Sequence, residues 1–179
     1  MKLEVAIRLI EKGIHHTTGP QHWADFGAGN GLFTRALATR LPSGSSLHAI
    51  DKDATALKAI DLGSAPVTLN KLRTDFINEE PDPGPLDGIL IANALHYVPH
   101  TLAFLTYLKK ILKPSGRIIL IEYDRDTGNQ WVPFPVSYAA LQLLAPQAGF
   151  KAVTKMGEEP SVYSQVNIYS ALLLQEMGN

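Results

Sequence analysis

The chain has 179 residues, 45% hydrophobic and 18% charged, a balance that suits one globular domain with a sizeable core. Sixteen basic residues nearly cancel seventeen acidic ones, and a net charge of -1 gives no support to general binding of nucleic acid or of an anionic membrane. The absence of cysteine excludes disulfides, thiolate zinc sites and cysteine nucleophiles, and a cytoplasmic location is expected.

Residues 2–14 are predicted as an amphipathic helix with Leu3, Ile7, Ile10 and Ile14 on one face. Glu4, Arg8 and Glu11 interrupt its apolar residues, so it does not read as a signal peptide, and no apolar run approaches a membrane span. His15 and His16 end this helix; as neighbours they point to opposite sides and do not suggest a metal site. A first strand follows at His22–Phe26, then a helix from about Leu32 to Leu41, stopped by Pro42, Ser43 and Gly44. The second strand is Ser46–Ile50, ending in Asp51, and the next helix is Ala54–Leu62. Val67–Leu72 reads as a third strand, ending near Asp75.

Residues 78–85 hold three prolines, so any crossover helix there is a turn at most. Leu86–Ala92 is the fourth strand. A helix over His100–Leu112 is stopped by Lys113-Pro-Ser-Gly116, and Arg117–Tyr123 is the fifth strand, with Ile118–Ile121 apolar enough to be buried on both faces. A polar loop, Asp124–Pro135, leads to a helix at Val136–Ala148. The last two strands are Phe150–Met156 and Tyr163–Leu174, joined at Gly157-Glu-Glu-Pro160. Strands alternate with helices through the fifth. The expected fold is therefore α/β: a doubly wound, mostly parallel, seven-stranded sheet with a C-terminal antiparallel hairpin at its edge.

The stretch Ala24–Ala38 runs from strand through a glycine-rich turn into a helix, the shape of a nucleotide-type pocket. Gly27, Gly29 and Gly31 alternate. A dinucleotide fingerprint needs glycine where Leu32 stands, and a P-loop needs Gly-Lys-Ser/Thr where Gly31 is followed by Leu32 and Phe33. Asp51 stands about 20 residues beyond the turn, where a carboxylate can accept both hydroxyls of a ribose. Asp53 is the better placed of the two to cap the next helix. Asp75 suits an adenine amino group with Phe76 flanking the ring, and reads equally as a solvated loop aspartate. Asn93 ends the fourth strand, so four successive strand ends aim polar groups at one crevice.

These residues make the chain resemble a class I S-adenosylmethionine-dependent methyltransferase, in the small-molecule group that includes ubiquinone-biosynthesis-like enzymes. Asp25-Phe-Gly-Ala-Gly-Asn-Gly31, Ile50-Asp51, Thr74-Asp75-Phe76, Asp87–Tyr97 and Leu112–Arg117 are similar to that family's successive motifs, over roughly residues 20–125. The resemblance implies that the turn, Gly27, Ala28, Gly29 and Gly31, lies against the methionine part of the cofactor, with Asp25 orienting it or reaching the amino group through water. It implies that Asp51 holds the ribose and Lys52 covers one adenine face. Asp75 and the Phe76 backbone read the adenine edge, and the Asn93 main-chain carbonyl meets the ammonium.

On the acceptor side the candidates are His96, Tyr97, Glu122, Tyr123, Asp124 and Arg125. His96 has a pKa range that suits a base and reads equally as a histidine packed at the helix start near His100. Glu122 or Asp124 would accept from an acceptor hydroxyl, or be a solvated carboxylate. Trp131 and Phe134 would wall an apolar pocket or dock on the core. Lys109, Lys110 and Lys113 read as a solvated face.

The expected organisation is a single domain over 1–179: a helix over 1–19 covering the site, a cofactor core over 20–125, and an acceptor side over 126–179. The expected activity is methyl transfer to a small molecule, without metal, nucleic acid or membrane, and with a homodimer able to complete the site. A noncatalytic S-adenosylmethionine- or S-adenosylhomocysteine-binding regulator and a nicotinamide-dependent oxidoreductase are the alternatives.

Overall fold

The computed structural model describes residues 1–14, 18–161 and 166–175; His15 and His16 lie outside them. Seven strands form one sheet: β1 His22–Phe26, β2 Ser46–Asp51, β3 Thr68–Arg73, β4 Leu86–Ala92, β5 Leu112–Tyr123, β6 Phe150–Pro160 and β7 Asn167–Gln175. Their order is β3-β2-β1-β4-β5-β7-β6, parallel from β3 to β5, with β7 antiparallel to both β5 and β6. This is the doubly wound sheet the alternation predicts. The terminal hairpin is present, with β7 inserted between β5 and β6 and β6 left at the edge.

Strand β5 shows how one run serves two layers. Ile118 and Leu120 join a core with Phe26, Leu105, Leu141 and Tyr169, while Ile119 and Ile121 join one with Leu9, Trp23 and Leu37. Alternate side chains leave a strand on opposite faces, so a continuous apolar run is the signature of a covered central strand. Helices α1 (Leu3–Ile10) and α2 (Leu32–Ala38) cover the second of these faces. After the short helix α3 (Ala54–Lys58), helices α4 (Thr101–Lys110) and α5 (Tyr138–Gln147) cover the first.

Several local expectations are corrected. The buried face of α1 is Ala6, Leu9 and Ile10, continued by Gly13 and Ile14; of the expected stripe Ile10 and Ile14 are buried, while Leu3 and Ile7 pack against the core only partly buried. Small residues let the segment lie close: a Cβ at Gly13 would stand 2.7 Å from Ile119. The Ser170 hydroxyl donates to the Leu9 carbonyl, tying α1 to the sheet. Lys113–Gly116 is carried inside β5 as a register shift, with Leu86 opposite Leu112 and Gly88 opposite Arg117. Gly157–Pro160 is likewise part of β6, where Pro160 ends an edge strand that needs no further N–H donors. The expected start of the last strand at Tyr163 lies outside the described residues. The helices after β1 and β2 end at Ala38 and Lys58, short of Leu41 and Leu62. A 3-10 turn at Leu95–Tyr97, which periodicity did not indicate, follows β4.

Candidate active site

The carboxyl ends of β1, β2, β4 and β5 converge on one edge, and Gly27–Gly31 builds its centre. Gly27, Gly29 and Gly31 have φ of 78°, 50° and 77°, the left-handed region that costs other residues energy. The Gly27 and Ala28 amides donate to the Ile50 carbonyl at 2.8 and 3.1 Å, which holds the turn against β2. Two of the glycines are demanded by the protein itself. A Cβ at Gly27 would stand 2.5 Å from that of Ala94, and one at Gly31 2.7 Å from Ile60. Gly29 differs, because a Cβ there would meet nothing within 4 Å. Its backbone faces open space, as a ligand cradle requires.

Asp51 fastens this turn. Its Oδ2 accepts from the Gly29 amide at 2.8 Å and its Oδ1 from the Asp53 amide at 2.9 Å. Asp53 caps α3, its carboxylate accepting from Thr55 and Ala56. Asp51 and Lys52 line a cleft of about 480 Å³ together with Gly27, Asp75, Phe76 and Asn93. Asp75 builds the loop of that wall, accepting from the Ile77 amide and the Asn78 side chain. The Phe76 ring meets Phe26 edge-on at 5.8 Å, so it is fixed from behind. Ala28 is buried beside Ala49, Leu57 and Ile60.

Asp25 lies behind the turn rather than on a cleft wall. It is fully enclosed, and its Oδ2 accepts from the Thr34 hydroxyl at 2.6 Å, joining β1 to α2. Burial pushes its carboxyl up to about 7; the Thr34 hydrogen bond opposes the shift and the charge of Asp51 adds to it.

Asn93 is the corner of the site. It has φ of 51°, the one non-glycine with positive φ among the described residues, and its Oδ1 is buried without a hydrogen-bond partner. It borders three cavities. One is the Asp51 cleft; the second, of about 570 Å³, lies under the start of α1 between Lys2, Val5, Leu32 and Phe33. The third, of about 410 Å³, is lined by His96, Tyr97, Tyr123, Arg125 and Trp131. Leu32 and Phe33 were not singled out from the sequence as lining residues. Their signal is two large apolar residues at the first turn of a helix that leaves a glycine cradle.

In the third cavity His96 and Glu122 form a buried pair. Nδ1 of His96 is 3.0 and 2.8 Å from the two carboxylate oxygens. Oε1 also accepts from the His96 amide and Oε2 from the Tyr123 amide, each at 3.2 Å. An ionised carboxylate can only accept, so the ring hydrogen between them sits on Nδ1, and in the neutral ring Nε2 is the nitrogen that carries the lone pair. Asp124 is drawn elsewhere: it accepts from the Tyr138 amide at the start of α5 and lies 3.6 Å from Lys155. Trp131 stands 70% exposed, and Tyr97 46%, at this cavity.

Among the described residues no group of three or more His, Asp or Glu side chains is arranged to hold a metal ion, and no helix is long and apolar enough to cross a membrane.

Residues 24–118 match the model of a methyltransferase domain family. An uncharacterized methyltransferase of Mycobacterium bovis is 28% identical over 105 residues, 59% of this chain and 52% of that protein. The chain thus spans about half the length of the curated relatives it matches. Among solved structures, the fold is similar to that of the arsenic(III) S-adenosylmethionine methyltransferase of Chlamydomonas reinhardtii. The TM-score is 0.74 at 14% identity, covering 99% of this chain and 74% of that one. It is also similar to a Burkholderia thailandensis 1,6-didemethyltoxoflavin N1-methyltransferase with bound S-adenosylhomocysteine, at a TM-score of 0.70 and 18% identity over 97% of this chain and 77% of that one.

Proposed function

The chain belongs to the methyltransferase domain family, and from that premise we propose that it transfers a methyl group from S-adenosylmethionine to a small-molecule acceptor. The family's small-molecule branch, which includes ubiquinone-biosynthesis-like enzymes, is where we place it, with 1–179 working as one unit. The observation that carries the reading is the cradle at Gly29: open space over a left-handed glycine whose amide is fixed by Asp51.

The residues present fit the cofactor. Asp51 keeps lone pairs for ribose hydroxyls while it holds the turn. Lys52, Asp75 and Phe76 border the same cleft and suit the adenine. The unpartnered, buried Oδ1 of Asn93 suits an ammonium group, because a buried acceptor left unpaired is costly until a donor arrives. Asp25 acts through the turn, by fixing α2 against β1. When bound, the cofactor supplies a methyl carbon already activated by its sulfonium, so alignment can provide much of the rate.

The chain's own chemistry is then proton handling. His96 takes the acceptor's proton on Nε2, and Glu122 orients the ring and stabilises the imidazolium that forms. Asp124, committed to α5 and Lys155, takes no part in this reading.

Calorimetry with S-adenosylhomocysteine tests the cofactor assignment: micromolar binding that is lost in Asp51→Ala is expected, and tight binding of NAD in its place would overturn it. A screen for transfer of labelled methyl to metabolite extracts tests turnover. Strong binding with no methylated product would favour a regulator that senses the cofactor or its product.

A further inference from the structure

The cavity beside His96 contains a group that methyl transfer does not itself require. Arg125 follows β5 and lines this cavity, and its Nε is buried with no hydrogen-bond partner. No carboxylate of the described residues forms an ion pair with its guanidinium. A guanidinium is always charged and presents its donors as a planar fork, so a buried, unpaired Nε at a cavity wall implies an acceptor brought by a ligand.

The segment around Arg125 is constructed rather than loose. The Asn129 Oδ1 accepts from the amides of Trp131 and Val132, each at 2.8 Å, and the Asn129 amide donates to the Val132 carbonyl at 3.0 Å. The Phe134 amide donates to the carbonyl of His96 itself at 3.0 Å, so the loop is pinned to the turn that holds the proposed base. The Oδ1 bonds leave the side-chain Nδ2 of Asn129 as a donor at the same cavity. Tyr97 and Trp131 add two exposed aromatic surfaces.

We propose that this cavity selects an acceptor that is an aromatic carboxylic acid. Arg125 with Asn129 takes the carboxylate, and Trp131 and Tyr97 flank the ring. The inference rests on the methyltransferase reading and adds the acceptor class to it. A carboxylate matches the fork in shape and charge, since a single fixed cation lines the cavity and Asp124 and Asp126 flank it in sequence. A phosphate dianion would leave one charge unbalanced. Asn93, the proposed ammonium partner, borders both this cavity and the cleft beside Gly27, so the cofactor's own carboxylate is the rival occupant that the test separates.

The test uses the whole chain saturated with S-adenosylhomocysteine and reads tryptophan fluorescence. Of the two tryptophans Trp23 is fully buried, so a ligand in this cavity reports through Trp131. Benzoate, 4-hydroxybenzoate and cinnamate are titrated against their methyl esters and against phenyl phosphate. The acids are expected to bind about tenfold or more tightly than the esters. Arg125→Gln should bring that ratio to about one, and Arg125→Lys should keep part of it. S-adenosylhomocysteine affinity should be the same in all three proteins. Equal binding of acid and ester, no binding of any acid, or tighter binding of phenyl phosphate than of every acid would overturn the proposal. So would a tenfold loss of S-adenosylhomocysteine affinity in Arg125→Gln, which would give the guanidinium to the cofactor. If the unmodified chain does not bind S-adenosylhomocysteine at all, it is the methyltransferase reading that fails.

Discussion

Oε2 of Glu122 lies 2.8 Å from Nδ1 of His96, with both side chains closed off from solvent, Glu122 near the end of β5 and His96 in the 3-10 turn that follows the adjacent strand β4. Glu122→Gln keeps the shape and removes the carboxylate that fixes the tautomer. With the acceptor returned by the labelled-methyl screen, kcat should fall by about 10²–10⁴-fold. KM and S-adenosylhomocysteine affinity should hold, and the pH–rate profile should change shape. His96→Gln should cost a similar factor, and the double variant little more, because the two act as a unit. An unchanged kcat and pH profile in Glu122→Gln would refute the positioning role.

Asp51→Asn places an amide N–H₂ against the backbone donors of Gly29 or Asp53. Affinity for S-adenosylhomocysteine should drop by about 10–100-fold, the usual cost of losing a charged hydrogen-bonding group. Titration calorimetry reads this directly, and affinity within twofold of the unmodified chain would detach Asp51 from the cofactor.

The turn glycines separate stability from binding. Gly27→Ala combines positive φ with a collision at Ala94 and should cost about 3 kcal/mol or more. Gly29→Ala carries only the backbone penalty, about 1 kcal/mol, yet puts a methyl into the cradle. Melting curves should therefore show roughly a threefold larger drop for Gly27→Ala, while Gly29→Ala should weaken S-adenosylhomocysteine binding out of proportion to its small stability loss. Equal melting shifts would contradict the contrast in local space.

Asp25 predicts a pH dependence of folding. Its folded pKa of about 7 lies above the ordinary carboxylate value of 3.8, so the folded state binds the proton more tightly than the unfolded one. The favourable contribution is complete below about pH 4 and is lost as pH rises toward 7, with a slope of up to ~1.4 kcal/mol per pH unit. Asp25→Asn, which still accepts from Thr34, lacks this slope. The stability of the unmodified chain relative to Asp25→Asn should thus decline from pH 4 to 7 and then level off. Parallel denaturation profiles across that range would show that Asp25 stays ionised.

The sequence made the sheet legible because each strand end is written locally: an apolar run, then Asp51, Asp75 or Asn93, then a turn or helix. It made Gly157–Pro160 and Lys113–Gly116 read as stops, since glycine and proline punctuate most chains. Here an edge strand and a register shift absorb them, and both depend on partners far away in sequence. The proposed cofactor edge is readable as motifs at fixed spacing. The His96–Glu122 pair was visible only as two separate candidates, because their meeting requires β4 and β5 to be neighbours. The different fate of Asp124, two residues beyond Glu122, follows from the docking of α5, which no local pattern encodes.

Asn93 stands where three cavities meet, in a backbone conformation that leaves it few alternatives. A ligand that engages its side chain in one cavity touches a wall shared with the other two. Occupancies that share such a wall obey thermodynamic reciprocity: the factor by which bound cofactor changes affinity for the acceptor equals the factor by which acceptor changes affinity for the cofactor. The order in which the two arrive is then a matter of rates, and measuring either binding step alone leaves half of the recognition unseen.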